Sequence, residues 1–473
     1  MATSSLSLRQ RWQLYVLRRP PTPEEQAEAD LVKACRREVL AFSWPVMTEL
    51  LLMSCISIIN LMLVGRLGPE AISIVGLSNQ PLLIFMAMFQ AFTVGATALV
   101  SRAIGAGERA QAQSIAVQTV LLSSVISLSI AGLGIFGAEQ IMRGMGAHDT
   151  LLHEGTPYMM YMAVGFAFQG LPTSVAAILR GAGETAAPMR YNVLSNVVHV
   201  GLGFLLIQGV PGWKGLGLQG AAIASVVARA VAYVLAVRAL LSPLLPFGLE
   251  ARTPVYWDRP ILNRIARVGV SAAGEQLFSR LGLLLYTRIV AELGTVAVAA
   301  HQINLTVSSL ALNAVTALSA AASSFVGRSL GKQAPDEGAR YWREALFQGH
   351  LVSVLLTLLF FFAGVPLSAL FTDSKEVIVL SAMVLKINAI ISLPQSVFTV
   401  VAGGLRGAGD TRYPMMAAAV GSLGVRVSLA CVFVLWLELG LLGAWYAALL
   451  DQMIRAILIH RRYKTGRWRT QTV

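Results

Sequence analysis

The sequence predicts an all-α integral membrane protein of twelve transmembrane helices, built as two six-helix repeats related by a pseudo-two-fold axis along the membrane normal. Three observations predict it. The chain of 473 residues is 56% hydrophobic and only 13% charged, whereas soluble domains are nearer a quarter charged. Apolar runs of the ~20 residues needed to cross a bilayer as a helix recur through nearly its whole length. One ten-residue stretch also occurs twice: Leu179-Arg-Gly-Ala-Gly-Glu-Thr-Ala-Ala-Pro188 returns 226 positions later as Leu405-Arg-Gly-Ala-Gly-Asp-Thr-Arg-Tyr-Pro414.

Taken in order, residues 1–37 are hydrophilic and read as a cytoplasmic tail. Their opening, Met1 to Pro21, is rich in serine and arginine and free of acids, which is also how an organelle transit peptide reads. An N-terminal lobe (38–240) follows, with spans near 39–63, 72–100, 112–136, 156–179, 189–209 and 217–240. Residues 241–261 hold Pro243, Pro246, Pro254 and Pro260 and form the natural cytoplasmic linker. The C-terminal lobe (262–460) has spans near 262–288, 296–326, 345–370, 377–404, 414–437 and 440–460. Residues 461–473 are a basic tail. Each copy of the repeated motif sits between two apolar runs, as a helix end, a turn and a new helix start. Gly181 and Gly183 permit the turn, Thr185 or Glu184 can accept from free N–H groups, and Pro188 suits a first helical turn.

The duplication holds away from that motif. Gly65-Arg-Leu-Gly68 has its counterpart in Ala291-Glu-Leu-Gly294, and Ser101-Arg102 with Gly105 in Gly327-Arg328 with Gly331, again 226 positions apart. Gly217-Leu-Gln-Gly220 matches Gly440-Leu-Leu-Gly443 at 223, a three-residue deletion. Because six is even, both halves enter from the same side, hence the axis along the membrane normal. Of the 37 Lys and Arg residues, 28 fall at the termini and at the loops and span ends on one side, and four fall opposite. Both termini are therefore expected in the cytoplasm of a multi-pass protein of the cell membrane, or of an organelle membrane if the first residues are a transit peptide. The net charge of +13 is mainly this orientation signal, and nothing in it points to nucleic acid.

Chemistry on the chain is sparse. Cys35, Cys55 and Cys431 are isolated, with no paired spacing. Gly331-Lys332 is followed by Gln333, and Val326 stands where a P-loop needs glycine. No histidine pair at metal-binding spacing and no nucleophile elbow occur. The expectation is no catalytic residue, no metal and no cofactor.

Val64-Gly-Arg-Leu-Gly68 after the first span, Ala299-Ala-His-Gln-Ile303 opening the eighth, and the twin Leu-Arg-Gly-Ala-Gly-Asp/Glu-Thr motifs after the fourth and tenth together resemble the multidrug and toxic compound extrusion (MATE) transporters, in the flavour of the DNA-damage-inducible F-type branch. The resemblance covers about residues 38–460. It implies two lobes in a V around a central cavity open to one side at a time, and export of small organic solutes driven by inward H+ or Na+. A membrane-embedded protein working as a monomer is expected.

At several positions the chain departs from the family's pattern. Asn60 stands where members commonly have an aspartate. The fifth span offers Asn192, Asn196 and His199 in place of an acid, Gln395 replaces the coupling acid of the tenth, and Ser279 aligns near a glutamate of the seventh. An amide can coordinate sodium but cannot exchange a proton near neutral pH. Gln302 joins the amides as a cavity candidate. Three carboxylates remain inside spans: Glu49, Glu275 and Asp451. The first two are repeat mates, and Glu275, Glu49 and Asn60 are the ion-coupling candidates. The plainer reading is a fixed salt bridge, Glu275 with Arg280 for example, and intramembrane carboxylates favour H+ over Na+ as the coupling ion. Lys386 and Arg426, if both line the cavity, would favour anionic or zwitterionic solutes; the plainer reading pairs them with Glu275 or Asp451. Pro45, Pro172 and Pro394 each delete a helical hydrogen bond and are hinge candidates, with Gln169 and Gln395 placed to satisfy freed carbonyls. Alternatives are a lipid-linked or polysaccharide flippase of the same superfamily and a non-transporting membrane enzyme or receptor.

Overall fold

A computed structural model of the chain describes residues 23–210, 212–242 and 257–471. The transit-peptide reading of residues 1–21 and most of the linker at 241–261 lie outside the described residues. The N-terminal half comprises α1 (Pro23–Gly65), α2 (Pro69–Gly105), α3 (Arg109–Phe136), the short α4 (Ala138–Gly144), α5 (Asp149–Ala167), α6 (Gly170–Ala182), α7 (Ala186–Gln208) and α8 (Gly217–Leu240). A two-residue hairpin, β1 (Gly209–Val210) with β2 (Trp213–Lys214), joins α7 to α8. The C-terminal half comprises α9 (Arg259–Ala291), α10 (Thr295–Gly331), α11 (Pro335–Phe362), the short α12 (Gly364–Ala369), α13 (Lys375–Ala408), α14 (Arg412–Ala419), α15 (Ser428–Cys431) and α16 (Gly440–Lys464).

Among the described residues ten helices are long and apolar enough to cross a membrane. α2 and α9, at the second and seventh expected positions, are unbroken helices of 37 and 33 residues. The repeat extends to detail that hydropathy does not carry. The short α4 and α12 begin 226 positions apart, each directly after the third long helix of its half. Exposed apolar side chains such as Leu128, Leu133, Leu284 and Leu355 cover outer faces, an arrangement that suits lipid rather than water.

The duplicated motifs form matching turns. Gly183 and Gly409 take φ of 92° and 90°, and the N–H groups of Glu184 and Asp410 reach back to the carbonyls of Leu179 and Leu405 at 2.8 and 2.9 Å, closing each helix with a left-handed residue. Glu184, rather than Thr185, caps the next helix, accepting from the N–H groups of Ala186 and Ala187. Its mate Asp410 instead binds Arg462 at 2.7 Å.

Three features of local structure go beyond what the apolar runs carry. The fourth span is two helices, α5 and α6, interrupted at Phe168–Gln169 just before Pro172, because proline supplies no N–H to continue the ladder. Gln169 does not satisfy a freed carbonyl: its amide donates to Thr173 Oγ1 at 3.1 Å. Ser127 of α3 bridges the break, donating to Phe166 O at 2.5 Å and accepting from Gly170 N–H at 2.9 Å. Pro45 and Pro394, by contrast, lie inside unbroken helices. The eleventh span, Arg412–Trp436, runs as π-helix over Val420–Val427 and again over Val432–Trp436. Helix and turn also reach into the described parts of both hydrophilic tails. α1 begins at Pro23 and runs without interruption into the first span, and after α16 a 3₁₀ turn, Arg467–Thr470, buries Trp468 against Trp342 and Tyr463.

The halves meet through reciprocal contacts: α2 packs on α9 and α10, and α1 packs on α10 and α11. At one end of the seam α2 and α10 cross at glycines. A Cβ at Gly105 would lie 2.0 Å from the Arg328 carbonyl oxygen, and one at Gly331 would lie 2.1 Å from that of Arg102. Only the missing side chains allow this approach, which brings together the repeat-related ends read from sequence. Arg102 also donates to Gln471 O at 2.6 Å, joining the C-terminal strap to the other half.

Candidate functional site

The arginine of each duplicated motif sits in the last turn of its helix, and its side chain reaches back to the glutamate in the first helix of the same half. Arg180 Nη2 donates to both oxygens of Glu49 at 2.8 and 2.7 Å. Arg406 Nη1 donates to both oxygens of Glu275 at 3.2 Å. Both pairs span 131 residues of chain, so the duplication carries the ion pair as well as the helices. The surroundings have diverged. Asn192 donates to Glu49 Oε1 at 2.8 Å, where the other half has the apolar Ala418; Ser319 accepts from Arg406 Nη2 at 3.2 Å. Glu49 and Glu275 are 5% and 7% exposed, and a buried carboxylate is stable only when paired in this way.

Asp451, fully buried on α16, carries two arginines. Arg455, one helical turn on, donates to Oδ1 at 2.5 Å and Oδ2 at 2.9 Å; Arg426, from the π-helical stretch, reaches Oδ2 at 2.7 Å. Arg455 also donates to Ser422 Oγ at 2.5 Å. Gly421 makes room: a Cβ there would lie 2.2 Å from Asp451 Oδ1 and 2.3 Å from Arg455 Nε. The first π stretch, Val420–Val427, lies where this triad is packed, in keeping with the frequent placement of such turns at functional sites.

A cavity of about 590 Å³ opens beside these groups, mostly in the C-terminal half with one wall from α2 and α6. Arg180, Arg280, Arg406, Arg426 and Arg455 line it, together with Glu275. Of the sequence candidates, Glu275, Gln395 and Arg426 are on its wall. Glu49 and Asn192 lie behind Arg180. Gln302 is exposed on α10, seven residues before the cavity residue Ser309. Asn60 on α1 and Asn196 and His199 on α7 are partly buried and are not among the lining residues.

Two expectations fail. Lys386 is exposed and lies over the Phe361 ring at 5.6 Å, on the outer side of α13 and away from the cavity. Glu275 pairs with Arg406 and not Arg280, because residues five apart on a helix point about 140° apart and do not face each other. Sequence reasoning missed Arg180, Arg406 and Arg455, which counted as orientation charges near span ends. The signal for the first two was present: the motif keeps its arginine in both copies, and each lies at equal spacing from a span-embedded glutamate. His301, from the motif opening the eighth span, is buried between the rings of Tyr286 and Trp445, at 5.4 and 5.7 Å.

A family model described as MatE matches the chain twice, over residues 45–205 and 272–432. A probable multidrug resistance protein NorM from Thermotoga maritima is 28% identical over 447 residues, covering 93% of this chain and 95% of its own length. An FAD transporter from Shewanella oneidensis is 27% identical, covering 72% of this chain and 75% of its own length. Among solved structures, an outward-facing multidrug resistance MATE family transporter of the MOP superfamily superposes with a TM-score of 0.85 at 20% identity, covering 93% of this chain and 97% of that one. A MOP superfamily transporter from Pyrococcus furiosus, described as having a binding pocket of reverse polarity, also gives 0.85 at 20% identity, over 92% and 97%.

Proposed function

The chain belongs to the MatE family of multi-pass membrane transporters, which are not enzymes, and from that premise we propose that it is a secondary active exporter exchanging small organic solutes for inward H+ by alternating access. The observation that carries this reading is Glu275: it is the carboxylate on the cavity wall, and it ties α9 to the end of α13 through Arg406. Ionised, Glu275 holds that tie. A proton entering through the cavity neutralises it, releases Arg406, and loosens the first helix of the lobe from the fourth. Glu49 and Arg180 form the same tie in the other lobe, reinforced by Asn192.

The proposed orientation places both termini in the cytoplasm of the cell membrane, so the glycine crossing of α2 and α10 closes the cytoplasmic side. Export then requires that crossing to part. We take the protein to work as a monomer; a cavity and ion pairs formed within one chain support that reading. Relatives differ in what they are described as moving, multidrug resistance proteins beside an FAD transporter, so the solute must be read from this cavity.

The test is transport in proteoliposomes under imposed pH or Na+ gradients. Uptake driven by the pH gradient is expected, and Glu275→Gln should abolish that drive while leaving solute counterflow. Strict Na+ dependence with no response to pH would overturn the proton reading.

A further inference from the structure

Resting on the transporter reading, we infer that the solute is an organic anion. The cavity wall and the groups bound to it hold five guanidinium groups, Arg180, Arg280, Arg406, Arg426 and Arg455, against three carboxylates, Glu49, Glu275 and Asp451. That is a surplus of two positive charges, and its distribution matters more than its size. Every carboxylate is already held by an arginine, and Asp451 is shared between two. Arg280 is exposed on the cavity wall and has neither an ion-pair nor a hydrogen-bond partner among the described residues. Arg180 and Arg426 each keep a buried Nε–H without an acceptor among the described residues.

A cationic solute would have to displace an arginine from its carboxylate, leaving a buried charge uncompensated, a strongly unfavourable step. An anion meets charge that is already in place, in the strong class of charge-assisted hydrogen bonds to guanidinium. Amide and hydroxyl groups of Gln276, Ser279 and Gln452 add neutral donors, and Leu283, Leu312 and Phe398 provide surface for an apolar body. The anion site centres on Arg280 and Arg426, apart from the Glu275–Arg406 pair that takes the proton. A negative cell interior also drives an anion outward, so the electrical gradient acts on the solute as well as on the proton.

The test uses full-length protein in nanodiscs and two xanthene dyes of similar size and opposite charge, fluorescein and rhodamine 6G, followed by fluorescence anisotropy. Fluorescein is expected to bind more tightly. Arg280→Ala should weaken fluorescein about tenfold, the loss of one hydrogen-bonded charge contact, with rhodamine 6G unchanged or tighter, and Arg280→Lys should recover most of the loss. Tighter rhodamine 6G binding, or fluorescein binding indifferent to Arg280→Ala, overturns the inference. Counterflow of both dyes in proteoliposomes separates it from the reading beneath. Exchange of rhodamine 6G without fluorescein sinks the anion and keeps the transporter; Arg280-dependent fluorescein binding without exchange keeps the anion site and sinks the transporter.

Discussion

Gly105→Ala should shift the protein away from the conformation in which α2 and α10 cross at their glycines. The added Cβ would lie 2.0 Å from the Arg328 carbonyl oxygen and 2.8 Å from its carbon. Carbon atoms settle at about 3.5–4.0 Å, so α2 and α10 must separate by more than 1 Å where they cross. Neither neighbour can yield alone, because both are helix backbone and the pseudo-symmetric contact, Gly331 on Arg102, is as tight at 2.1 Å. Overpacking of this kind costs about 1–3 kcal/mol. Since the strain falls on the seam between lobes, it should lower the ratio of closed to open at this end by about 5- to 150-fold. Spin labels at Glu108 and Gln333, both exposed beside the crossing, in a background lacking Cys35, Cys55 and Cys431, would report this as a longer distance population in nanodiscs. Gly132→Ala is the control, because nothing lies within 4 Å of its added Cβ. An unchanged distance distribution in Gly105→Ala would refute the idea that this crossing is the closure.

Other outcomes follow from the same geometry. Arg180→Ala leaves Glu49 buried without its counter-charge, with Asn192 still donating to it, and should lower stability by about 3–5 kcal/mol, read as a drop in Tm; adding Glu49→Gln should restore much of it. Gly421→Ala drives a methyl into Asp451 and Arg455 and should cost about 1–3 kcal/mol by the same measurement. Truncation after Lys464 removes Trp468 from the rings of Trp342 and Tyr463 and Gln471 from Arg102. It should lower Tm and raise the reactivity of a cysteine placed at Gln333; an unchanged Tm would show that the strap contributes nothing.

Much was legible in the chain itself. Bilayer crossing depends on the apolar content of consecutive residues, a local property, so the run from residue 377 to 404 announced α13 without any partner. A duplication leaves its offset wherever it is read, and the 226-residue offset placed Glu49 against Glu275 and Arg180 against Arg406 before any contact was visible. The sequence by itself therefore determined the class of fold, the two-fold plan and the standing of Glu49 and Glu275 as repeat mates.

What only the tertiary structure decided is which of those charges meet. Arg406 is 131 residues from Glu275, and whether it caps a span end or reaches back into the lobe depends on how α9 and α13 cross, which no local pattern encodes. The same holds for Lys386 and Arg426, both basic and both inside spans: the rotation of their helices turned one outward over Phe361 and the other inward onto Asp451. Hydropathy measures how much apolar surface a helix has; the direction each charge faces emerges only when the helices pack.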